Sequence, residues 1–150
     1  MAESFLNQDF LDLLRALSVA SVRFLVVGAY AMAVHGRPRA TGDLDIWIEA
    51  TPENAARAYR ALEEFGAPLH KLKELDLTSP ALVYQIGLSP RRIDILTGID
   101  GVQFSAAWPS RVIGTYGDLQ FNVIGKADLI ANKRATGRPQ DLVDVESLMR

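Results

Sequence analysis

Residues 24–49 read Phe-Leu-Val-Val-Gly-Ala-Tyr-Ala-Met-Ala-Val-His-Gly-Arg-Pro-Arg-Ala-Thr-Gly-Asp-Leu-Asp-Ile-Trp-Ile-Glu. The first four residues are apolar without a break and stop at Gly28, which predicts a short buried strand ending in a turn. Ala29 to His35 is rich in alanine and free of breakers, which predicts a short helix; Gly36-Arg-Pro-Arg39 ends it. Asp43 to Glu49 then alternates polar and apolar side chains, the period of a strand. Asp43 and Asp45, two apart, therefore leave that strand on the same face.

Outward from this segment, Phe10, Leu13, Leu14 and Leu17 recur at helical spacing, with Ser4 as the expected N-cap. Thr51 and Pro52 start a helix that runs to about Phe65 and stops at Gly66. Residues 67–80 read as irregular. Leu82 to Leu88 and Arg91 to Thr97 read as two strands joined at Ser89-Pro90. Arg111 to Thr115 and Leu119 to Ile124 read as a hairpin turning at residues 116–118. Lys126 to Thr136 and Gln140 to Met149 read as two closing helices. The expected fold is a mixed α/β (α+β) domain, a central mixed sheet flanked by helices, with residues 1–150 as one unit.

The chain is 150 residues long, with 49% hydrophobic and 23% charged residues, the balance of a globular protein with a real core. It has no cysteine, which excludes disulfide scaffolds, Cys-based zinc sites and thiol nucleophiles. A net charge of −2 disfavours a broad polyanion-binding surface. No run is long and apolar enough to span a bilayer, and the start, MAESFLNQDF, lacks a signal-peptide pattern. The expectation is a cytoplasmic protein that makes no use of membranes.

Two carboxylates side by side repel unless protons or a cation separate them. Hard divalent ions such as magnesium take oxygen ligands, commonly one or two carboxylates plus substrate phosphates. A D-x-D on a strand supplies such ligands, although alternating acids on an exposed strand are equally a solvated face. Asp94, in Arg92-Ile-Asp-Ile, is an acid among aliphatic residues and needs a partner if buried. It either joins Asp43 and Asp45 or pairs with Arg91 or Arg92. Gly28 marks a strand-to-helix turn whose backbone N–H groups could receive an anion, or simply a tight turn. Arg37 and Arg39 could meet phosphate oxygens or lie in solvent.

Taken in order, Gly28, His35-Gly36, Arg39-Ala-Thr41 and Asp43-Leu-Asp45 resemble the signature of the nucleotidyltransferase superfamily with the DNA polymerase beta fold. The branch they most resemble is the small bacterial one that includes abortive-infection nucleotidyltransferases. Residues 129–144, with Lys133, Arg138-x-x-Asp141 and Asp144, resemble the same branch. The resemblance implies metal-dependent transfer of a nucleoside monophosphate from an NTP to an acceptor hydroxyl, with release of pyrophosphate. It implies that Asp43, Asp45 and Asp94 are catalytic and hold two magnesium ions. Gly28, Ala29, Arg39, Thr41 and Lys133 would bind the nucleotide. His35 is expected to cap a helix behind the site, and Asp141 and Asp144 to orient Lys133 and Arg138 rather than bind metal.

Family members usually carry a second glycine or a serine where this chain has Ala29. The chain also ends at Arg150, shortly after the motif helices, so acceptor recognition is expected to use a partner protein or self-association. Both features motivate a second possibility, a weakly catalytic nucleotide- or partner-binding module of a toxin–antitoxin-like system. The same acids could also serve a phosphohydrolase, though without the His-rich ligand set many such sites use. RNA, a protein and a small molecule all remain open as acceptor.

Overall fold

The structure is a computed structural model that describes residues 7–38 and 42–150. Ser4, Arg39 and Thr41, three residues singled out from the sequence, lie outside the described residues. Among the described residues, six strands form one mixed sheet: β1 (Phe24–Val27), β2 (Leu44–Ile48), β3 (Val83–Ile86), β4 (Ile93–Leu96), β5 (Val112–Tyr116) and β6 (Leu119–Val123). Their order across the sheet is β3-β4-β2-β1-β6-β5. The helices are α1 (Gln8–Val19), α2 (Gly28–Val34), α3 (Pro52–Phe65), α4 (Phe104–Ala107), α5 (Lys126–Thr136) and α6 (Pro139–Met149). The mixed α/β architecture with two closing helices is the one expected.

β1 and β2 are antiparallel neighbours at the centre, and each gains a parallel partner, β6 on one side and β4 on the other. Every residue of β1 is buried, as its unbroken apolar run requires. β2 is also interior: Leu44, Ile46 and Ile48 fill one face, while Asp45 and Trp47 share the other. Its alternation therefore marks which face carries the acids, not a face open to water. Trp47 is covered edge-on by Phe104 of α4, with ring centroids 5.0 Å apart, and Phe104 in turn stacks on Trp108. This stretch, a four-residue helix with a 3-10 turn at Trp108–Ser110, is too short for any period and has no counterpart in the sequence reading.

The helix ends follow local chemistry. The cap of α1 is Asn7, whose side-chain oxygen accepts from the Phe10 N–H at 3.0 Å. Its buried stripe is Phe10, Leu13, Leu14 and Leu17, as the spacing predicts. α3 begins at Pro52 under Thr51, whose hydroxyl accepts from the Asn54 N–H, and ends at Gly66 in the left-handed region. Buried Asn54 then ties α3 to the strand ends: it accepts from Arg23 N–H at 2.7 Å and donates to the carbonyls of Arg23 and Glu49. α1 and α3 pack on each other and reach the sheet at β6 and β2.

Several details depart from the expected boundaries: α1 starts at Gln8 under Asn7 rather than under Ser4, and β2, β3 and β4 are each shorter than expected at both ends. The β5–β6 hairpin pairs through Tyr116↔Leu119, so Tyr116 belongs to the strand and the turn is Gly117-Asp118. Residues 67–80 are not wholly irregular, because Glu74–Thr78 forms a 3-10 turn that buries Leu77.

Candidate functional site

The register of the two parallel strands decides the site. β2 and β4 pair so that Asp45 lies beside Asp94. Directly paired residues of neighbouring strands share a face, so these carboxylates are adjacent, and Asp43 precedes Asp45 on that same face. The three acids open into a cleft of about 700 Å³ that Gly28, Ala29, Lys133 and Arg138 also line.

Each carboxylate has its own surroundings. Asp43 accepts from the Ser89 hydroxyl at 2.8 Å and from the Arg92 N–H at 3.2 Å. Asp94 is buried and takes a two-point contact from the Arg92 guanidinium, at 2.8 and 3.3 Å. The same guanidinium stands 3.4 Å from Asp43. Asp45 is left with the excess negative charge. Burial first, then the charges of Asp94 and Asp43 and a hydrogen bond shared with Asp94, push its carboxyl up to about 7 despite Arg92. Asp94 thus satisfies both alternatives open in the sequence: it joins the other acids and it pairs with Arg92.

Arg92 is the site residue whose importance the sequence hides. Its signal was its position, two before Asp94 on a strand and so on the same face. Among the described residues, no three His, Asp or Glu side chains are arranged around one ion. Arg92 supplies the counter-charge to two of the three acids expected to hold metal. The donor chemistry still fits a hard divalent cation: the ligands are all carboxylate oxygen, and the displaced Asp45 marks negative charge in want of a cation. Arg92, with its side chain 32% exposed, has room to withdraw.

Gly28 is a glycine for two reasons. Its φ is +69°, and a Cβ placed on it would lie 2.3 Å from Asp45 Oδ2. The turn therefore presses its bare backbone against the carboxylate. Gly28→Ala combines a left-handed backbone, at about 1–2 kcal/mol, with a collision that turns Asp45 aside. The expected result is a fall in melting temperature of several degrees; an unchanged melt would rule out the close approach.

Lys133 is not a surface residue. Its side chain is 6% exposed, with Nζ 2.9 Å from Asp144 and 3.6 Å from Asp141. Asp141 also accepts from Arg138 Nε at 2.7 Å, from its terminal nitrogen at 3.2 Å and from its backbone N–H. Burial alone would raise Asp141, but the bonds from Arg138 and Thr136 and the Arg138 charge outweigh it and hold the carboxyl at about 2. Asp144 further accepts from Gln140. The pairing of these acids with Lys133 and Arg138 is the one expected.

Other candidates point elsewhere. The His35 ring meets the Ile124 carbonyl at 2.8 Å, tying the end of α2 to the residue after β6. Arg37, considered for phosphate, donates instead to the carbonyls of Ser147 and Arg150 at the end of α6. Asn132 donates to the Asp100 carbonyl and holds the loop after β4 against α5 at the edge of the cleft. Among the described residues, no helix is long and apolar enough to cross a membrane.

The fold is similar to that of solved nucleotidyltransferases. No protein-family model and no curated protein matches the chain in sequence. Among solved structures it is similar to the lincosamide antibiotic adenylyltransferase LnuA bound to lincomycin, with a TM-score of 0.60 and 13% identity over 96% of both chains. It is also similar to TM1012 of Thermotoga maritima, classed as a nucleotidyltransferase, with a TM-score of 0.57 and 16% identity over 91% of this chain and 86% of that one. At these identities the likeness is one of fold.

Proposed function

We propose that the protein transfers a nucleoside monophosphate from an NTP to an acceptor hydroxyl and releases pyrophosphate. The observation that carries this is the pairing of Asp45 with Asp94 behind Asp43, in a cleft whose other walls bear cations and the Gly28 turn. The fold it shares with an adenylyltransferase supports it further. The order of Gly28, His35-Gly36, Asp43-x-Asp45 and the residues of α5 and α6 favours the small bacterial branch that includes abortive-infection enzymes.

Asp43, Asp45 and Asp94 would hold magnesium, two ions in this scheme, which would supply charge stabilisation at the attacking and leaving oxygens. The remaining work falls to the protein. Arg92 leaves Asp43 and Asp94 as the substrate enters, and its guanidinium is then available to the polyphosphate. Gly28 and Ala29 offer backbone N–H groups to phosphate oxygens. The acceptor oxygen attacks the α-phosphorus in line, the bond to the bridging oxygen breaks, and pyrophosphate departs. Asp94 orients the hydroxyl and receives its proton. Arg39 and Thr41 complete the nucleotide contacts in this scheme.

One specific observation favours a second possibility, a nucleotide-binding module with little turnover: Arg92 already neutralises two of the three acids. Incubation of α-labelled NTPs with the protein, magnesium and cell extract separates the two. Label in an RNA, protein or small-molecule fraction, absent with Asp43→Asn/Asp45→Asn, is the expected outcome and names the acceptor class. NTP binding with no label in any fraction would favour the module.

A further inference from the structure

Three cationic side chains line the cleft among the described residues, and the structure ranks them. Lys133 is enclosed, its ammonium consumed by Asp141 and Asp144. Arg92 is bound to Asp43 and Asp94 and can meet a phosphate only after leaving them. Arg138 differs from both: its side chain is 75% exposed. A guanidinium carries five N–H donors in a rigid fork, and Asp141 takes two of Arg138's from the side chain. The others remain for a ligand.

Arg138 is also held in place. Asp141 grips its guanidinium and its backbone N–H together, at the start of α6. Asp141 itself also meets Lys133, which is held by Asp144, and Asp144 accepts in turn from Gln140. This is the arrangement that keeps a long cationic side chain ordered before its ligand arrives, so that little freedom is lost on binding. Arg138 and Asp45 line the same cleft.

We infer that Arg138, clamped by Asp141, is the residue that grips the β- and γ-phosphates of the incoming nucleotide, and that Lys133 is the buried support of that clamp. The inference rests on the nucleotide reading given above, and it exchanges the roles that the sequence suggests for Lys133 and Arg138. An anionic, multidentate oxygen cluster suits an exposed fork; an enclosed ammonium shared by two carboxylates is poorly placed to meet it.

The test is the affinity of the full chain for ATP, ADP and AMP with magnesium, measured by calorimetry for the wild type and for Arg138→Gln and Arg138→Lys. Arg138→Gln should weaken ATP about tenfold or more, consistent with loss of a charge-assisted fork, and leave AMP within about twofold. Arg138→Lys should fall between, since it keeps the charge and loses the fork. A variant that loses ATP and AMP equally makes Arg138 structural and overturns the inference, as does one that binds ATP like the wild type. If the wild type itself binds none of the three nucleotides, nucleotide recognition fails as a whole and the inference with it. The wild-type measurement thus separates the two failures.

Discussion

Asp45→Asn is expected to stabilise the metal-free protein at pH 8 while reducing nucleotidyl transfer by at least about a thousandfold. The two effects share one cause. In the unfolded chain this carboxyl titrates near 3.8, and in the folded protein near 7, raised by burial and by Asp94 and Asp43. Between those values the folded state binds the extra proton, so stability falls as pH rises from about 4 to about 7 and is level above. At one pKa unit per 1.36 kcal/mol, the penalty above pH 7 reaches up to roughly 4 kcal/mol. Asparagine keeps the volume and removes the charge, so the variant should melt several degrees higher at pH 8 and equally at pH 4. Divalent magnesium should stabilise the wild type at pH 8 and leave the variant largely unmoved. A variant with the wild-type pH slope would show that Asp45 is not the strained group.

Lys133→Met should have the opposite effect on the fold. The substitution keeps the aliphatic stem and takes the ammonium from Asp144, which is almost fully buried, while Asp141 keeps Arg138. Removing one partner of a buried ionic cluster costs about 3–5 kcal/mol, which in a domain of this size lowers the melting temperature by about 10 °C or more. Arg138 and Thr136 hold the Asp141 carboxyl at about 2, so that part of its stabilisation survives in the variant. Adding Asp144→Leu should recover part of it, because one stranded charge is gone. Urea unfolding at pH 7 measures this directly, and a deficit under about 1 kcal/mol would contradict the buried-support role.

What was legible in the sequence was local. The period-two run from Asp43 to Glu49 announced β2 and put both acids on one face, because alternation is a property of the strand alone. Thr51, Pro52 and Gly66 marked both ends of α3 to the residue, since each end is set by chemistry within one turn. The spacing of Asp141 and Asp144 exposed their shared helical face. What stayed hidden depends on distant residues. Asp94 meets Asp45 through a register between strands separated by forty-odd residues of sequence. Lys133, on a polar helix, gave no sign of burial, because the carboxylates that permit it come from the next helix. The choice of Arg92 over Arg91 was open from composition and decided by the face of β4. Phe104–Ser110 was invisible because its order comes from Trp47 beneath it.

The central claim is that this cleft breaks the bond between the α- and β-phosphates of an NTP. The most direct measurement follows two labels at once, on the α- and γ-phosphates, in the presence of magnesium and the acceptor fraction. The account predicts α-label joined to the acceptor and γ-label released as pyrophosphate, with neither seen for Asp43→Asn/Asp45→Asn. Release of γ-label as inorganic phosphate by the same carboxylates would contradict it and make the site a phosphohydrolase.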